Sequence, residues 1–426
     1  MSLTLIGAVT IFALTYIAII SERVHRTVAA LVGATLLILL GILEQEHAIE
    51  GIDFNTLGLL IGMMVVVNIA KGSGMFQYVA FWAARVTKGK PVPLFLFLGV
   101  IVALFSAFLD NVTTVLLMVP VMFVLANNLK ISVKPLLIGA ILLSNIGGTA
   151  TLIGDPPNIL VGSASGLTFN DFLIHLAPIS IVVSAVTLGL LFLIYRKKLI
   201  TTPEAQANIL KFDPKHAITD KRLLIKSLIV LGVILAGFIT HNMTGLEGAT
   251  IAMGGAALLL LMTMNHPEEY LEKVEWGTIF FFIGLFIVVA GLEEVGVIHM
   301  AAESLLRLTE GNPVMMGMLI VWGSAIFSAI IDNIPFVATM IPLIQDIGAI
   351  SGIALAPLWW ALLVGADLGG NATLVGASAN VVVSGMAEKE DQKISFVEYL
   401  KIALPLTFVG VAIGSVYLYL RYFMFM

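Results

Sequence analysis

The chain has 426 residues, 59% of them hydrophobic and 12% charged, with a formal net charge of −5 and a mean hydropathy of +1.05. Soluble domains carry about 25% charged residues, so this composition excludes a soluble globular protein. The absence of cysteine excludes disulfides and thiolate metal sites, and the seven histidines show no pair at helical ligand spacing, so no metal or other cofactor is expected.

In chain order, apolar runs of the length needed to cross a bilayer, about 17 to 25 residues, begin with Leu3 to Ile20 and continue with Val28 to Leu43. The first has no basic residues ahead of it and no small-residue cleavage pattern behind it, so it reads as a retained span. The stretch 91–127 is apolar but interrupted by Asp110-Asn111-Val112-Thr113-Thr114, which predicts a re-entrant hairpin of two half-helices with a polar tip. A broken helix follows over 133–166, interrupted from Asn145 to Asn158 by three glycines and Pro156-Pro157. Another span covers Ile179 to Tyr195, and the polar segment 197–222 reads as a cytoplasmic linker. Beyond it, 313–349 repeats the hairpin pattern with its turn at Asp332-Asn333, and 357–385 repeats the broken helix around Asp367 to Asn380.

That recurrence obeys one offset, 222 residues. It carries Phe105-Ser106-Ala107 onto Phe327-Ser328-Ala329, Asp110-Asn111 onto Asp332-Asn333, and Pro120 onto Pro342. It also lays Gly147-Gly148-Thr149-Ala150-Thr151-Leu152-Ile153-Gly154 over Gly369-Gly370-Asn371-Ala372-Thr373-Leu374-Val375-Gly376. Shared composition explains matched glycines in apolar helices, but not matched Asp-Asn pairs, which are rare in spans. The chain therefore reads as two halves, 1–196 and 223–426. Placing Arg23 and Arg26 in the cytoplasm and alternating from there leaves only Arg307 and Arg421, of 22 basic residues, on the outer side. This requires an odd number of crossings per half, so the halves are inverted copies and both termini face outward. The predicted fold is an all-α polytopic membrane protein of two inverted-topology repeats, with about ten transmembrane helices plus two re-entrant helical hairpins.

Inverted repeats place solute sites near the midplane, where discontinuous helices meet. Candidate substrate-binding residues are Asn111, Thr113, Thr114, Gly148, Thr149, Thr151, Asn333, Gly370, Asn371 and Thr373, which offer side-chain donors and acceptors or exposed backbone groups. The competing reading is that these residues cap half-helices. Candidates for proton or cation coupling are Asp110, Asp155, Asp332 and Asp367, since burial disfavours the charged form of a carboxylate. Asp110 and Asp332 match across the offset and suit a shared capping role, whereas Asp155 falls on Ala377 and Asp367 on Asn145. No nucleophile with a base at membrane depth and no Walker loop is found. The chain is therefore not expected to be an enzyme, and its energy comes from an ion gradient or an ATPase partner.

Leu109 to Thr114, the run Asn145 to Asn158 and the run Gly370 to Asn380 resemble the ArsB/NhaD branch of the ion transporter superfamily over essentially the whole chain. That branch includes arsenite and antimonite efflux permeases, NhaD-type sodium/proton antiporters and proteins similar to the melanosomal P protein. The resemblance implies scaffold and transport subdomains in each half, a homodimer joined through the scaffold, and elevator-like movement of the transport part. One departure stands out: Asn333-Ile334-Pro335-Phe336 replaces Asn111-Val112-Thr113-Thr114, so hydroxyls are missing from the second hairpin. The first expectation for function is proton-coupled arsenite or antimonite efflux across a bacterial inner membrane, with neutral trihydroxy-arsenic hydrogen-bonded by Asn and Thr. Sodium/proton antiport is the alternative. Organic-anion transport is third, weakened by the lack of an obvious basic residue in the site. The partners expected are this small inorganic solute, protons and membrane lipids, with no nucleic acid.

Overall fold

A computed structural model describes residues 3–21, 23–264 and 266–425. It is all-α, and ten helices among the described residues are long and apolar enough to cross a membrane. The chain is a multi-pass membrane protein. Four of the ten are the arms of the two predicted hairpins: Pro91–Leu109 and Asn111–Leu129, then Pro313–Ile330 and Asn333–Ser351. Each arm has 18 or 19 residues. An apolar run with one central Asp-Asn pair leaves room for a full-length helix on each side, because only the turn itself needs polar partners.

Local chemistry sets the boundaries. Proline opens the helices Pro91–Leu109, Pro156–Ser165 and Pro313–Ile330, where its missing N–H costs nothing. Asp110 and Asp332 cap the second arms. Gly166 and Gly352 close helices in the left-handed conformation. Along 133–166 the chain forms Lys134–Gly148 followed by Pro156–Ser165, and along 357–385 Ala356–Gly369 followed by Ser378–Lys389.

Hydrogen bonds define the two ends of the bundle. Thr27 donates to the Gly277 carbonyl (2.7 Å), Asn68 to that of Lys273 (3.0 Å) and the Thr219 amide to that of Ser73 (3.1 Å), which gathers one set of loops. Asn55 donates to Ser163 (3.1 Å), Asn170 to the Ile239 carbonyl (2.8 Å) and Gln345 to that of Ala164 (3.2 Å), which gathers the other. The first set carries most of the basic residues, including Lys71, Arg85 and Lys273.

The closest helix crossings come in pairs related by 222 residues. Phe54–Lys71 packs on Gly248–Thr263, with Gly62 against the backbone of Ala252 and Met253. Trp276–Glu294 packs on Arg26–Leu39, with Gly284 against the backbone of Ala30 and Leu31. In the same way Gly147 presses on the backbone of Ala103, and Gly369 on that of Ala325. A Cβ on Gly62 or Gly284 would lie 2.6 or 2.7 Å from a backbone carbon. Such contacts are what small residues permit between membrane helices, where lipid supplies no hydrophobic drive for association. Alanine at Gly62 or Gly284 is predicted to destabilise the protein by about 1–3 kcal/mol through overpacking. Alanine at Gly232, which has nothing within 4 Å, is predicted to be neutral, and thermal unfolding of the three variants in detergent checks both.

Candidate functional site

The two breaks meet inside the bundle, where Asn145, Thr149, Thr151, Asp155, Asn158, Asp367, Asn371 and Asn380 are all buried. Each break is stitched by the same three side chains. Asn158 Nδ2 donates to the carbonyls of Gly148 (3.0 Å) and Thr151 (2.8 Å), and Asn380 Nδ2 to those of Gly370 and Thr373 (both 2.8 Å). The Thr151 hydroxyl donates to the Ala107 carbonyl and that of Thr373 to Ala329 (2.6 Å), tying each break to the adjacent hairpin. Ser106 donates to the Ser144 carbonyl (2.5 Å) and Ser328 to that of Ala366 (2.6 Å). Buried backbone groups need such partners, so these residues form a framework.

Within that framework lies a chain of side-chain amides. Asn111 Nδ2 donates to Asn145 Oδ1 (3.0 Å) and to Asp155 Oδ2 (2.7 Å). Asn145 Nδ2 crosses between the halves to Asn371 Oδ1 and Asn380 Oδ1 (both 2.9 Å). Asn371 Nδ2 donates to the Leu142 carbonyl (3.2 Å), and Tyr399 donates to the Asn371 carbonyl (2.9 Å). Several buried groups remain without a hydrogen bond: Asp155 Oδ1, both oxygens of Asp367, Asn158 Oδ1, the Thr114 hydroxyl and Asn333 Nδ2. Asn333 lies beside Asp155, and Thr149 beside Asp367. The Thr149 hydroxyl itself donates to the Asn145 carbonyl (3.0 Å).

The structure thus brings together Asn111, Asp155, Asn333, Asp367, Thr149 and Asn371 of the predicted set. Gly148 and Gly370 supply backbone carbonyls to the framework asparagines, while Thr151 and Thr373 are spent on the hairpin carbonyls. Thr113 and Asp110 bond each other at the first turn: the Thr113 amide and hydroxyl reach the carboxylate at 2.8 and 2.6 Å. Asp332 sits at the second turn and meets Arg26 Nη1 at 3.0 Å. Sequence reasoning missed Arg26, which lies 306 residues away, and it undervalued Asn145, Asn158 and Asn380, which stood in the quoted runs. Their recurrence beside glycines was the available signal.

Two cavities reach the turns, both from the basic end. One of about 560 Å³ runs past Lys71, Lys273 and Glu275 to Thr113. The other, about 300 Å³, runs past Val24, His25 and Arg26 to Asp332 and Ser378. A third, about 430 Å³, lies at the opposite end among Asp53, Ser163, Phe169, His241 and Glu247.

A family model, CitMHS, described as citrate transporter, matches residues 16–365. A 46 kDa membrane protein of Mycobacterium leprae is 41% identical over 97% of this chain and 98% of its own. An uncharacterized transporter of Mycobacterium tuberculosis is 42% identical over 98% of each. The mouse P protein is 34% identical over 97% of this chain and 60% of its own. The crystal structure of the Alcanivorax borkumensis YdaH transporter superposes with a TM-score of 0.59 at 17% identity, covering 87% of this chain and 86% of that one, which establishes likeness of fold. These matches overturn the placement in the ArsB/NhaD branch. The motifs behind that placement are largely the framework just described, which secures the breaks whatever solute passes, so they report architecture and not branch.

Replacing Asn380 by Leu removes both framework bonds and leaves the buried Gly370 carbonyl and the partly buried Thr373 carbonyl unpaired, the first at about 1–3 kcal/mol and the second at less. The expected result is a large fall in the detergent melting temperature, with a smaller one for Asn145→Leu, whose partners are side chains free to find other donors.

Proposed function

Because the chain belongs to the CitMHS family, we propose that it moves a small carboxylate solute coupled to protons, with Asp367 and Asp155 as the coupling pair. Family membership makes it a secondary transporter of the ion-transporter superfamily, moving a small solute across the membrane, and not an enzyme.

One observation carries the coupling. The 222-residue offset maps Asn145 onto Asp367, and Asn380 onto Asn158. Asn145 Nδ2 donates to Asn380 Oδ1 (2.9 Å). The corresponding bond, from residue 367 to Asn158 Oδ1, is missing because a carboxylate has no hydrogen to give. Both Asp367 oxygens and Asn158 Oδ1 are buried and accept no hydrogen bond, the neighbouring Thr149 hydroxyl being given to the Asn145 carbonyl (3.0 Å). A proton on Asp367 supplies the missing donor, and unpaired buried acceptors are costly enough to make its uptake favourable. Asp155 Oδ1 is the second such acceptor.

The arsenite reading fits this arrangement less well. A neutral trihydroxide needs free amide and hydroxyl partners, and Asn111, Asn145, Asn371, Thr113, Thr151 and Thr373 are engaged with the protein itself. Sodium/proton antiport is favoured by the same unpaired oxygens, since a hard cation accepts oxygen ligands.

The rest of the proposal concerns movement. The halves 1–196 and 223–426, joined by the cytoplasmic linker 197–222, act as inverted repeats. The offset-related bonds and helix crossings support that reading. The hairpins and broken helices form a transport part, which slides against the remaining scaffold helices, and two scaffolds associate in a homodimer within the lipid. Both cavities at the turns open at the basic end, which the positive-inside rule assigns to the cytoplasm.

Asp367→Asn supplies a permanent N–H in place of the proton. In proteoliposomes with an imposed pH gradient, citrate accumulation is expected to fall to background, while exchange of labelled for unlabelled citrate persists. Retained gradient-driven accumulation would sink the coupling assignment. Collapse of the pH gradient by sodium, without citrate, would promote the antiporter reading.

A further inference from the structure

The two hairpin turns satisfy the same aspartate in different ways. At the first, Asp110 Oδ1 accepts the Thr113 amide (2.8 Å) and Oδ2 accepts the Thr113 hydroxyl (2.6 Å), so the turn is closed on itself. At the second, Pro335 stands where the offset expects Thr113 and can give neither bond. Asp332 Oδ1 still caps the helix through the Ile334 amide (3.2 Å). Its Oδ2 accepts from Arg26 Nη1 (3.0 Å) and from the Ser378 hydroxyl (2.8 Å).

Three positions have changed together. Pro335 replaces Thr113, Ser378 stands opposite Pro156, and Arg26 stands opposite Gly248. In the first half the corresponding residues are a self-bonding threonine, a proline without a donor and a glycine without a side chain. The second turn has thus been opened and its free oxygen handed to a cation on another helix. Arg26 begins the helix Arg26–Leu39, and its guanidinium also bonds Ser378 (2.7 Å), reaches Thr278 (3.4 Å) and lies 5.0 Å over the Phe281 ring. Beside it Tyr16 donates to the Pro335 carbonyl (2.7 Å). The second hairpin is tied to helices outside the hairpins and breaks by these links.

The guanidinium is not saturated by this arrangement. Only Nη1 meets Asp332, so the paired-fork geometry that Arg prefers with a carboxylate is unused. Its side chain is 29% exposed and lines the cavity of about 300 Å³ that opens to the basic end, a volume at the lower end of the range for small-molecule sites.

We propose that Arg26 reads the charge of the solute and latches the second hairpin, holding Asp332 until a solute carboxylate displaces it. The inference rests on the carboxylate assignment made above. The chain's own carboxylate occupies the solute's place; when the solute takes the fork, the hairpin turn loses its tie to the Arg26 helix and is released to move. Recognition and release are then one exchange of partners, in which an uncharged solute has no way to compete.

The chain has no cysteine, so a single cysteine at Ile331, beside the turn, reports release by its rate of maleimide labelling. Without solute, Arg26→Gln and Asp332→Asn are expected to label several-fold faster than the parent, with Arg26→Lys in between. Asparagine at 332 keeps the oxygen that caps the helix, so this variant folds. Citrate is expected to speed labelling in the parent only. Affinity separates the roles: Asp332→Asn removes the competitor and binds citrate several-fold more tightly, whereas Arg26→Gln loses binding. Labelling equal to the parent in both variants overturns the latch. Faster labelling in both variants, but no response of the parent to citrate or succinate, overturns the exchange and tells against a carboxylate solute. Proton coupling through Asp367 is judged by its own assay in either case.

Discussion

Everything at the centre of this protein depends on one constraint: backbone that leaves the helix at membrane depth has no water to bond and must be satisfied by the protein. Each break meets it with a single asparagine holding two carbonyls, Asn158 for Gly148 and Thr151, and Asn380 for Gly370 and Thr373. A threonine and a serine then bind each break to its hairpin. Glycine is needed beside them because the strands of the break pass at contact distance. A side chain on Gly154 would meet the backbone of Gly148 and Ser106, and one on Gly376 that of Gly370 and Ser328. With the backbone secured this way, neighbouring polar groups are released from structural duty. Asp155 Oδ1 and both oxygens of Asp367 can therefore remain without hydrogen bonds inside the fold, while Asp155 Oδ2 accepts from Asn111.

The same constraint explains what was legible in the sequence. Residues that hold backbone must keep their chemistry in both halves, so Ser106 and Ser328, Thr151 and Thr373, and Asn158 and Asn380 recur at one offset, and the breaks could be located from them. The pairing of amides could not be read in this way. Asn111, Asn145, Asn371 and Asn380 each carry one acceptor and two hydrogens, and only their placement decides which donates to which. Arg26 was invisible because its partner is 306 residues distant and belongs to the other half. The branch of the superfamily was misassigned because the most conspicuous residues are those that support the architecture.

The residues proposed to act in transport lie where the halves differ. Asn145 becomes Asp367, Asp155 becomes Ala377, Thr113 becomes Pro335, and Gly248 stands opposite Arg26. Placing a charged group at the centre of a helix in a membrane costs about 2.5–3.5 kcal/mol on insertion scales. A strictly symmetric chain with both aspartates in each half would bury four central carboxylates where this one buries two. Keeping one of each confines the cost to one carboxylate per half, and Asn145, standing where the second half has Asp367, bridges to Asn371 and Asn380.

This division also bears on how charge is handled at the two turns. Asp110 is balanced within its own hairpin by Thr113 and makes no ion pair among the described residues, so nothing charged has to separate when the first hairpin shifts. Asp332 is balanced by a cation on another helix, so movement of the second hairpin must either strand two charges or exchange one for a substitute. Stranding a partly buried pair is expensive because each ion loses its partner without regaining full hydration. In the proposed exchange an arriving anion removes that expense for Arg26. Under the proposed exchange, the asymmetry between the turns makes hairpin movement conditional on what is bound, which is what a coupled transporter requires and a leak lacks.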